Sequence, residues 1–265
     1  MVSGKILPEL VVKINEEIAR VCCWFRANKL ALNPTKSNFI VFHSRRLMVP
    51  ENMGSVLVEN AVIQRVTEVK FLGVYLDETL KFDLHVAHLV RKLSRFIAII
   101  YKIKRYFTLK GLVNLYYALI YPNLTFCITV WGATFKNVLR PLQVVQNRIV
   151  RAMCGVDRLS ASLPLYTSLG LFNVENIYMY MTGAYVYRTL LNQLLPTFQF
   201  QVMNRVTRSS SRALLSVPFV ALEVCRRSIR YSGPVVYNRI PLDIRTVDRY
   251  TTFKRNFKRF LLDST

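Results

Sequence analysis

Apolar residues are spaced in two different ways along this chain. Over 8–28 they recur every three or four residues, which is the spacing of an amphipathic helix. After that helix they gather in short runs of strand-forming residues at 38–42, 56–58, 62–63 and 69–76. We predict that these runs pair as a small antiparallel sheet, with a tight hairpin at Glu59-Asn60-Ala61 because Asn tolerates a positive φ.

From residue 86 the spacing is helical almost throughout. The predicted helical stripes are Leu89–Ile100, Leu112–Ile120, Leu139–Met153, 172–195 and Phe253–Leu261. Pro122 is predicted to end the second helix and Leu195-Pro196 the fourth. The Arg- and Ser-rich stretch 204–212 predicts a flexible linker.

The pattern therefore predicts an α+β fold that is mainly helical, with a small antiparallel sheet followed by helices and a basic carboxyl-terminal region. Three parts are expected, namely 1–85, 86–200 and 201–265. At 265 residues and 52% hydrophobic composition, the chain can bury a substantial core.

Positive charge is concentrated in the last two of these parts. The whole chain carries a net charge of +22. Residues 1–88 hold 11 Lys and Arg against 9 Asp and Glu, whereas 89–200 hold 13 against 2 and 201–265 hold 13 against 4. Such an excess predicts an anionic partner, either nucleic acid or an acidic membrane surface.

The cations of the predicted helices lie opposite the apolar stripes. Arg91, Arg95 and Lys102 share one face of the first helix. A merely solvated helix face would show the same pattern, but two acids cannot pair thirteen bases, so we expect phosphates to neutralise this face. The candidate nucleic-acid-binding residues are Arg91, Lys92, Arg95, Lys102, Lys104, Arg105, Arg140, Arg148, Arg151, Lys254, Arg255, Lys258 and Arg259.

The sequence gives little support for disulfide bonds, a metal site or a membrane span. The five cysteines include no C-x-x-C pair and follow no signal peptide, so we expect reduced thiols in the nucleus or cytoplasm. His43, His85 and His88 are not arranged as ligands with Cys or Asp, and the last two are expected at a polar helix start, so no metal and no cofactor is predicted. The uncharged gap between Lys110 and Lys136 could span a bilayer, but its polar residues make membrane association a remote alternative.

Several short motifs occur in the order found in one polymerase family. The residues Trp24, Asn28, Leu30, Leu32-Asn33-Pro34 and Lys36 match W…N-x-L-x-L-N-P-x-K-T, with Ser37 in place of Thr. Together with Phe71-Leu72-Gly73-Val74, which alone would predict only a buried core strand, this resembles the reverse transcriptases of non-LTR (LINE, jockey-type) retrotransposons. The resemblance implies that Lys36 approaches nucleotide phosphates and that Phe71, Leu72, Gly73 and Val74 form the turn that grips the primer.

Later motifs resemble the same family. They are Y-x-A-L-I-x-P at 116–122, V-W-G at 130–132, L-x-x-V-Q-N-R-x-V-R at 142–151, and a tail from Pro234 to Lys254 in which Tyr237 replaces Trp. The resemblance implies that 1–85 is the end of the palm domain, 86–200 the helical thumb and 201–265 a linker with a basic post-thumb segment. It also implies RNA and DNA, as a template–primer duplex, as partners, together with the missing amino-terminal part of the polymerase.

The catalytic carboxylates of that family have no counterpart in this sequence. The resemblance implies two Mg²⁺ ions held by aspartates of an upstream Tyr-x-Asp-Asp turn, but no Asp-Asp pair occurs here, and neither Asp77 nor Asp83 has a partner carboxylate in a matching context. We therefore expect a reverse-transcriptase fragment that binds template–primer duplex and does not polymerise alone. A stand-alone, non-enzymatic nucleic-acid-binding protein remains the main alternative.

Overall fold

A computed structural model describes residues 2–4, 6–44, 47, 49–50, 53–59, 61–191, 194, 198–203 and 214–264. They divide into two compact units, Met1–Leu80 and Lys81–Thr265, called here the amino-terminal unit and the helical unit. The predicted linker at 204–212, the predicted stop at Leu195-Pro196 and the turn residue Asn60 lie outside the described residues.

Helix α1 (Leu7–Ala27) packs one face into the small core of the amino-terminal unit. Pro8 lies in its first turn, where the missing N–H costs no hydrogen bond. Its Cys22 packs into a cluster with Val56, Val58 and Ile63. The Asn15 side chain adds a polar clamp, since it donates to the Ser55 carbonyl at 3.0 Å and accepts from the Leu57 N–H at 3.0 Å. Val21, predicted on the buried face, is exposed.

The strands of this unit form three two-stranded pairs. β2 (Leu57–Val58) and β3 (Ala61–Val62) are antiparallel, as predicted for the hairpin at 59–61, and Glu59 has a φ of 48°. β1 (Asn38–Phe39) pairs in parallel with β4 (Gln64–Arg65). The expectation of one joined antiparallel sheet containing 38–42 is therefore wrong, because that segment reaches a partner beyond the hairpin and pairs over only two residues.

β5 (Glu68–Phe71) and β6 (Val74–Asp77) form the longest antiparallel pair. Leu72 and Gly73 make the turn between them with φ values of 45° and 88°. Positive φ at both turn residues matches the right-handed twist of a two-residue hairpin. Phe71 is 60% exposed and Leu72 78% exposed, whereas Val74 is buried. The run is thus a hairpin with an exposed tip, and the expectation of a buried strand drawn from the run alone is wrong.

The helical unit is organised around two long helices in contact that run in the same direction, α2 (Asp83–Ile103) and α6 (Lys136–Cys154). Their apolar stripes face each other, and Leu93, Leu142 and Ile149 are completely buried. Gly155 ends α6 with a φ of 68°, the left-handed conformation that glycine adopts without a Cβ clash. The stripes predicted at Leu89–Ile100 and Leu139–Met153 are confirmed at these buried positions.

Pro122 does not end a helix, contrary to prediction. α3 (Leu109–Leu115) runs into a π-helical segment, Tyr116–Ile120, and on into α4 (Tyr121–Thr125). In the π segment the Tyr121 N–H donates to the Tyr116 carbonyl five residues back. Pro122 therefore occupies the first turn of α4, where its missing N–H is tolerated. Leu119, predicted on the apolar stripe, is exposed.

Helix α8 (Val174–Leu190) ends five residues before the predicted stop and contacts several of the remaining helices. The others are α5 (Ile128–Trp131), α7 (Leu163–Leu169), α9 (Glu223–Arg226), α10 (Ile229–Asn238), α11 (Leu242–Arg245) and α12 (Tyr250–Asp263). Gly183 lets α12 approach closely, since a Cβ there would lie 2.6 Å from Phe257. Tyr187 stacks on Phe253 with ring centres 4.0 Å apart.

Helix accounts for 59% of the structure and strand for 7%, so the predicted mainly helical α+β class with antiparallel pairs is confirmed. In the described ranges, no helix has the length and apolar character needed to cross a bilayer.

Candidate nucleic-acid interface

Helix α2 presents a cationic face directly opposite its buried face. Arg91, Arg95 and Lys102 are exposed, while Leu93 and Ile100 on the other side are buried. At 100° per residue the three cations fall within about 40° of one another around the helix axis. Lys92 and Arg105 are also exposed and Lys104 is half-buried, so α2 and the turn after it carry six of the predicted binding residues.

A groove joins this helix to α6. Ile97 and Tyr101 of α2 line it together with Arg148, Arg151 and Arg158, around a volume of about 300 Å³. The Arg151 Nε donates to the Ser160 carbonyl at 2.7 Å, which fixes that guanidinium in the groove wall. Arg158 is a further candidate that the helix pattern missed, because it lies in the turn after α6 and belongs to no stripe. The only sequence signal for it is its charge.

Tyr101 also carries a cation on its ring. The Lys104 Nζ lies 5.0 Å from the ring centre, within the range of a cation–π contact. Arg105 lies similarly over Tyr106, whose side chain is 75% exposed. Exposed rings beside cations offer both stacking and charge to a nucleic-acid strand.

The cations of α12 divide into two kinds. Arg255 and Arg259 are exposed, whereas Lys254 and Lys258 are half-buried. The Lys254 Nζ lies 5.6 Å from the Tyr250 ring centre, and the Lys258 Nζ lies 6.0 Å from that of Phe172. The two lysines thus cover the aromatic core with their stems, so the fully outward face predicted for this helix consists of the arginines alone.

These cations lack carboxylate neighbours. Across the part of the chain that the structure describes, none of the thirteen predicted binding residues, nor Arg158, forms an ion pair. Arg140 and Arg148 of α6 are exposed in the same way. A set of unneutralised cations on one unit repels itself unless anions bind, so its arrangement suits a polyanion.

The two features of the amino-terminal unit implied by the resemblance are both accessible. Lys36 is exposed at the end of a 3₁₀ turn, Pro34–Lys36, which the Asn33 side chain caps by accepting the Thr35 N–H at 3.1 Å. The exposed hairpin tip at Phe71, Leu72 and Gly73 is the second feature. Gly73 has no side chain and a φ that favours glycine, so another backbone can approach the tip.

The carboxylates near these features have structural roles. The Asp77 carboxylate accepts from the N–H and hydroxyl of Thr79 at 3.0 and 2.7 Å. Glu78 pairs with Arg65 at 2.5 Å and lies 3.5 Å from the His43 Nε2. Within the described ranges, no three His, Cys, Asp or Glu side chains are grouped so that they could hold a metal ion. The exposed Lys36 can bind an anion, but the described carboxylates offer no two-metal centre.

His85 is a core residue, which corrects its predicted place at a polar helix start. It is only 2% exposed and packs edge-on against Trp131, with ring centres 5.3 Å apart. Burial, with a smaller contribution from His88, lowers the pKa of His85 from 6.5 to about 4. The imidazole is therefore neutral at pH 7 and adds nothing to the basic surface.

A buried polar network inside the helical unit was also missed. The Gln146 Nε2 donates to the Tyr116 hydroxyl and to the Phe172 carbonyl, both at 2.8 Å. Nearby, the Gln143 Nε2 donates to the Tyr166 hydroxyl at 3.1 Å. Burial raises the pKa of Tyr116 and of Tyr166 well above 10, so both phenols stay protonated. These residues tie the π segment, α6 and α7 together, and sequence spacing could show only that Gln146 lies on the apolar face.

Comparison with known proteins finds sequence similarity to transposon polymerases. No protein-family model and no solved structure matches the chain. It is 25% identical over 154 residues to the probable RNA-directed DNA polymerase from transposon X-element of Drosophila melanogaster, covering 57% of this chain and 16% of that protein. It is 23% identical over 186 residues to the corresponding protein from transposon BS of the same organism, covering 69% and 20%. The chain thus spans a fifth or less of these relatives, and the similarity supports a relationship with retrotransposon reverse transcriptases.

Proposed function

We propose that this chain is part of a non-LTR retrotransposon reverse transcriptase and that its helical unit binds the template–primer duplex. The amino-terminal unit corresponds in this proposal to the end of a palm domain, with Lys36 and the hairpin tip at 71–74 directed to nucleotide and primer. The similarity to transposon polymerases supports the class of protein. The duplex as the ligand rests on the surface of α2 and α6.

The observation that carries the proposal is the cationic face of α2. Arg91 and Lys102 are eleven residues apart, which corresponds to a rise of about 16 Å along the helix. A parallel DNA duplex presents about nine phosphate charges over that length. The face can therefore engage several phosphates at once, and because its contacts are ionic it does not distinguish sequences.

The test is the salt dependence of duplex binding. Replacing Arg91, Arg95 and Lys102 together by Gln removes three phosphate contacts, so the slope of log affinity against log salt should become shallower by about 2.7. Binding of a labelled 20-base-pair DNA or RNA–DNA hybrid, followed by fluorescence anisotropy between 50 and 200 mM salt, measures it.

A matched control removes the same charge from the amino-terminal unit. Lys13, Arg20 and Lys29 are exposed there and are replaced together by Gln. We expect this triple to leave the slope nearly unchanged. Equal losses of slope in the two triples would show that only total charge matters and would overturn the assignment of the binding face.

A further inference from the structure

A cavity of about 730 Å³ lies in the helical unit between α6, α8 and α10, away from the α2 groove. Leu139, Val174, Val235 and Val236 give it apolar walls, and the rings of Tyr178 and Tyr231 face it. Ligand sites in proteins typically have this size and this mainly apolar lining. Among the walls, Val174 and Val236 are buried while Tyr231 is half-buried.

Its rim is strongly cationic. Arg140, Arg226 and Arg239 line the opening and are exposed, and none of them forms an ion pair with a described residue. Lys136 lines it too, but its ammonium lies 3.6 Å from the Glu175 carboxylate. Three uncompensated guanidinium groups therefore surround an apolar interior.

The inner wall is fixed by close packing. A Cβ on Gly132 would lie 2.6 Å from the Tyr178 ring, so glycine is required for that ring to lie where it does. Burial raises the pKa of Tyr178, although the nearby hydroxyl groups of Ser232 and Thr182 and the charge of Arg239 act in the opposite direction. The phenol stays neutral at pH 7 and does not repel an anion.

We infer that this cavity takes the base of an unpaired nucleotide within a single strand, with the flanking phosphates held by Arg140, Arg226 and Arg239. A base has the flat apolar faces that the valine walls and tyrosine rings would contact, and a phosphate suits the fork of a guanidinium. An apolar peptide would leave the three arginines unneutralised, while a free phosphate would leave the walls in water.

This site extends the proposed function, since it adds a single-stranded site to the duplex face. Arg140 of α6, a predicted binding residue, also lines the cavity, but the residues replaced in the two tests differ, since Val235, Arg226 and Arg239 belong to the cavity and Arg91, Arg95 and Lys102 to α2. Each can therefore fail without the other in a binding experiment.

The experiment uses the full chain and two kinds of variant. Val235→Trp fills the cavity from α10, and the pair Arg226→Gln with Arg239→Gln removes rim charge. Arg230→Gln with Arg249→Gln is the matched control, since both arginines are exposed and neither lines the cavity. The probes are a labelled ten-nucleotide oligothymidylate, a blunt 20-base-pair duplex and thymidine monophosphate.

We expect each cavity variant to weaken oligothymidylate binding about tenfold while changing duplex binding by less than about twofold. The control pair should change oligothymidylate binding by less than about twofold. The triple variant of α2 should show the reverse pattern, which separates failure of this site from failure of the duplex face. Should Val235→Trp not fold, the two rim substitutions, which lie on the surface, still decide the question.

Three results would overturn the inference. The first is unchanged oligothymidylate affinity in the rim variant, since the arginines would then hold no phosphate. The second is displacement of the oligonucleotide by dodecyl phosphate at concentrations where thymidine monophosphate has no effect, because the cavity would then be a site for aliphatic anions. Binding of the monophosphate as tight as that of the oligonucleotide would likewise contradict a site for a strand.

Discussion

The two units of this protein use their charges in opposite ways. In the amino-terminal unit, basic residues pair with acids, as in Arg65 with Glu78, Arg26 with Glu59 and Arg20 with Glu17. In the helical unit, Lys136 pairs with Glu175, but the predicted binding cations of α2 and α6 have no such partner among the described residues. The comparison shows that charge serves the fold in one unit and is left available for a ligand in the other.

The hydrophobic cores of the two units also differ, in size. The amino-terminal unit buries a small cluster around Cys22, Val56, Val58 and Ile63 and leaves Trp24 exposed. The helical unit buries Trp131 completely and stacks Tyr187 on Phe253. A unit with a large core can tolerate an unneutralised surface, because its packing outweighs the repulsion.

The largest expected effect is a loss of stability on replacing Trp131, measured against replacement of Trp24. Trp131→Ala removes a fully buried ring whose N–H donates to the Phe126 carbonyl at 2.8 Å, so unfolding free energy should fall by roughly 3–5 kcal/mol. Trp24→Ala, at a side chain that is 59% exposed, should cost about 0.5 kcal/mol or less. Urea denaturation followed by circular dichroism measures both, and comparable losses would contradict the difference in packing.

The next effect is a pH dependence of the helical unit. The pKa of His85 is 6.5 in the unfolded chain and about 4 in the folded protein. The stability that neutral His85 contributes is therefore fully present above pH 6.5 and decreases as the pH falls toward 4. His85→Phe should abolish up to roughly 3 kcal/mol of that decrease. Urea midpoints of both proteins between pH 4 and 8 test this, and parallel pH curves would show that His85 carries no such linkage.

A smaller effect is expected at the exposed hairpin tip. Leu72 adopts a φ of 45° that costs a leucine about 1 kcal/mol and that asparagine adopts more readily. Leu72→Asn should therefore slow hydrogen exchange of the β5 and β6 amides about fivefold. Leu72→Ala, which keeps the strain, serves as the control and should show no such protection. Faster exchange in Leu72→Asn would mean that the leucine side chain stabilises the hairpin.

No effect at all is expected in a polymerase assay. Lys36 and the hairpin tip position substrate in our proposal, but two-metal chemistry requires clustered carboxylates that the described residues do not provide. Primer extension by the purified chain with Mg²⁺ or Mn²⁺ should equal a buffer blank. Chelator-sensitive extension that survives stringent purification would reveal a metal site formed by other residues.

Sequence spacing predicted those parts of the fold in which one helix face is buried. The stripes of α2 and α6 were predicted correctly because a buried face enforces a period of 3.6 residues. The course of the chain at Pro122 was not, because proline is compatible with a helix once a π turn precedes it. The parallel pairing of β1 with β4 was missed for a similar reason, since two-residue strands carry almost no periodic signal.

The candidate site was predictable where it depends on charge and not where it depends on burial by tertiary packing. Arg91, Arg95 and Lys102 follow from helical spacing, whereas Arg158 belongs to a turn. His85 was expected at a polar helix start, between Asp83 and His88, yet tertiary packing against Trp131 buries it. The cavity below Arg140 is formed by three helices separated in the sequence, so no local pattern could indicate it.

The π segment Tyr116–Ile120 has a consequence for aligning this chain with its relatives. A π turn accommodates one more residue than an α turn. The residues after the turn are therefore shifted by one position in the repeating pattern of buried residues. A relative with one residue fewer at this point would still place its counterparts of Leu112 and Leu124 in the core. A single-residue gap within 116–120 is therefore structurally neutral, whereas the same gap in the middle of α6 would rotate its buried face by about 100°.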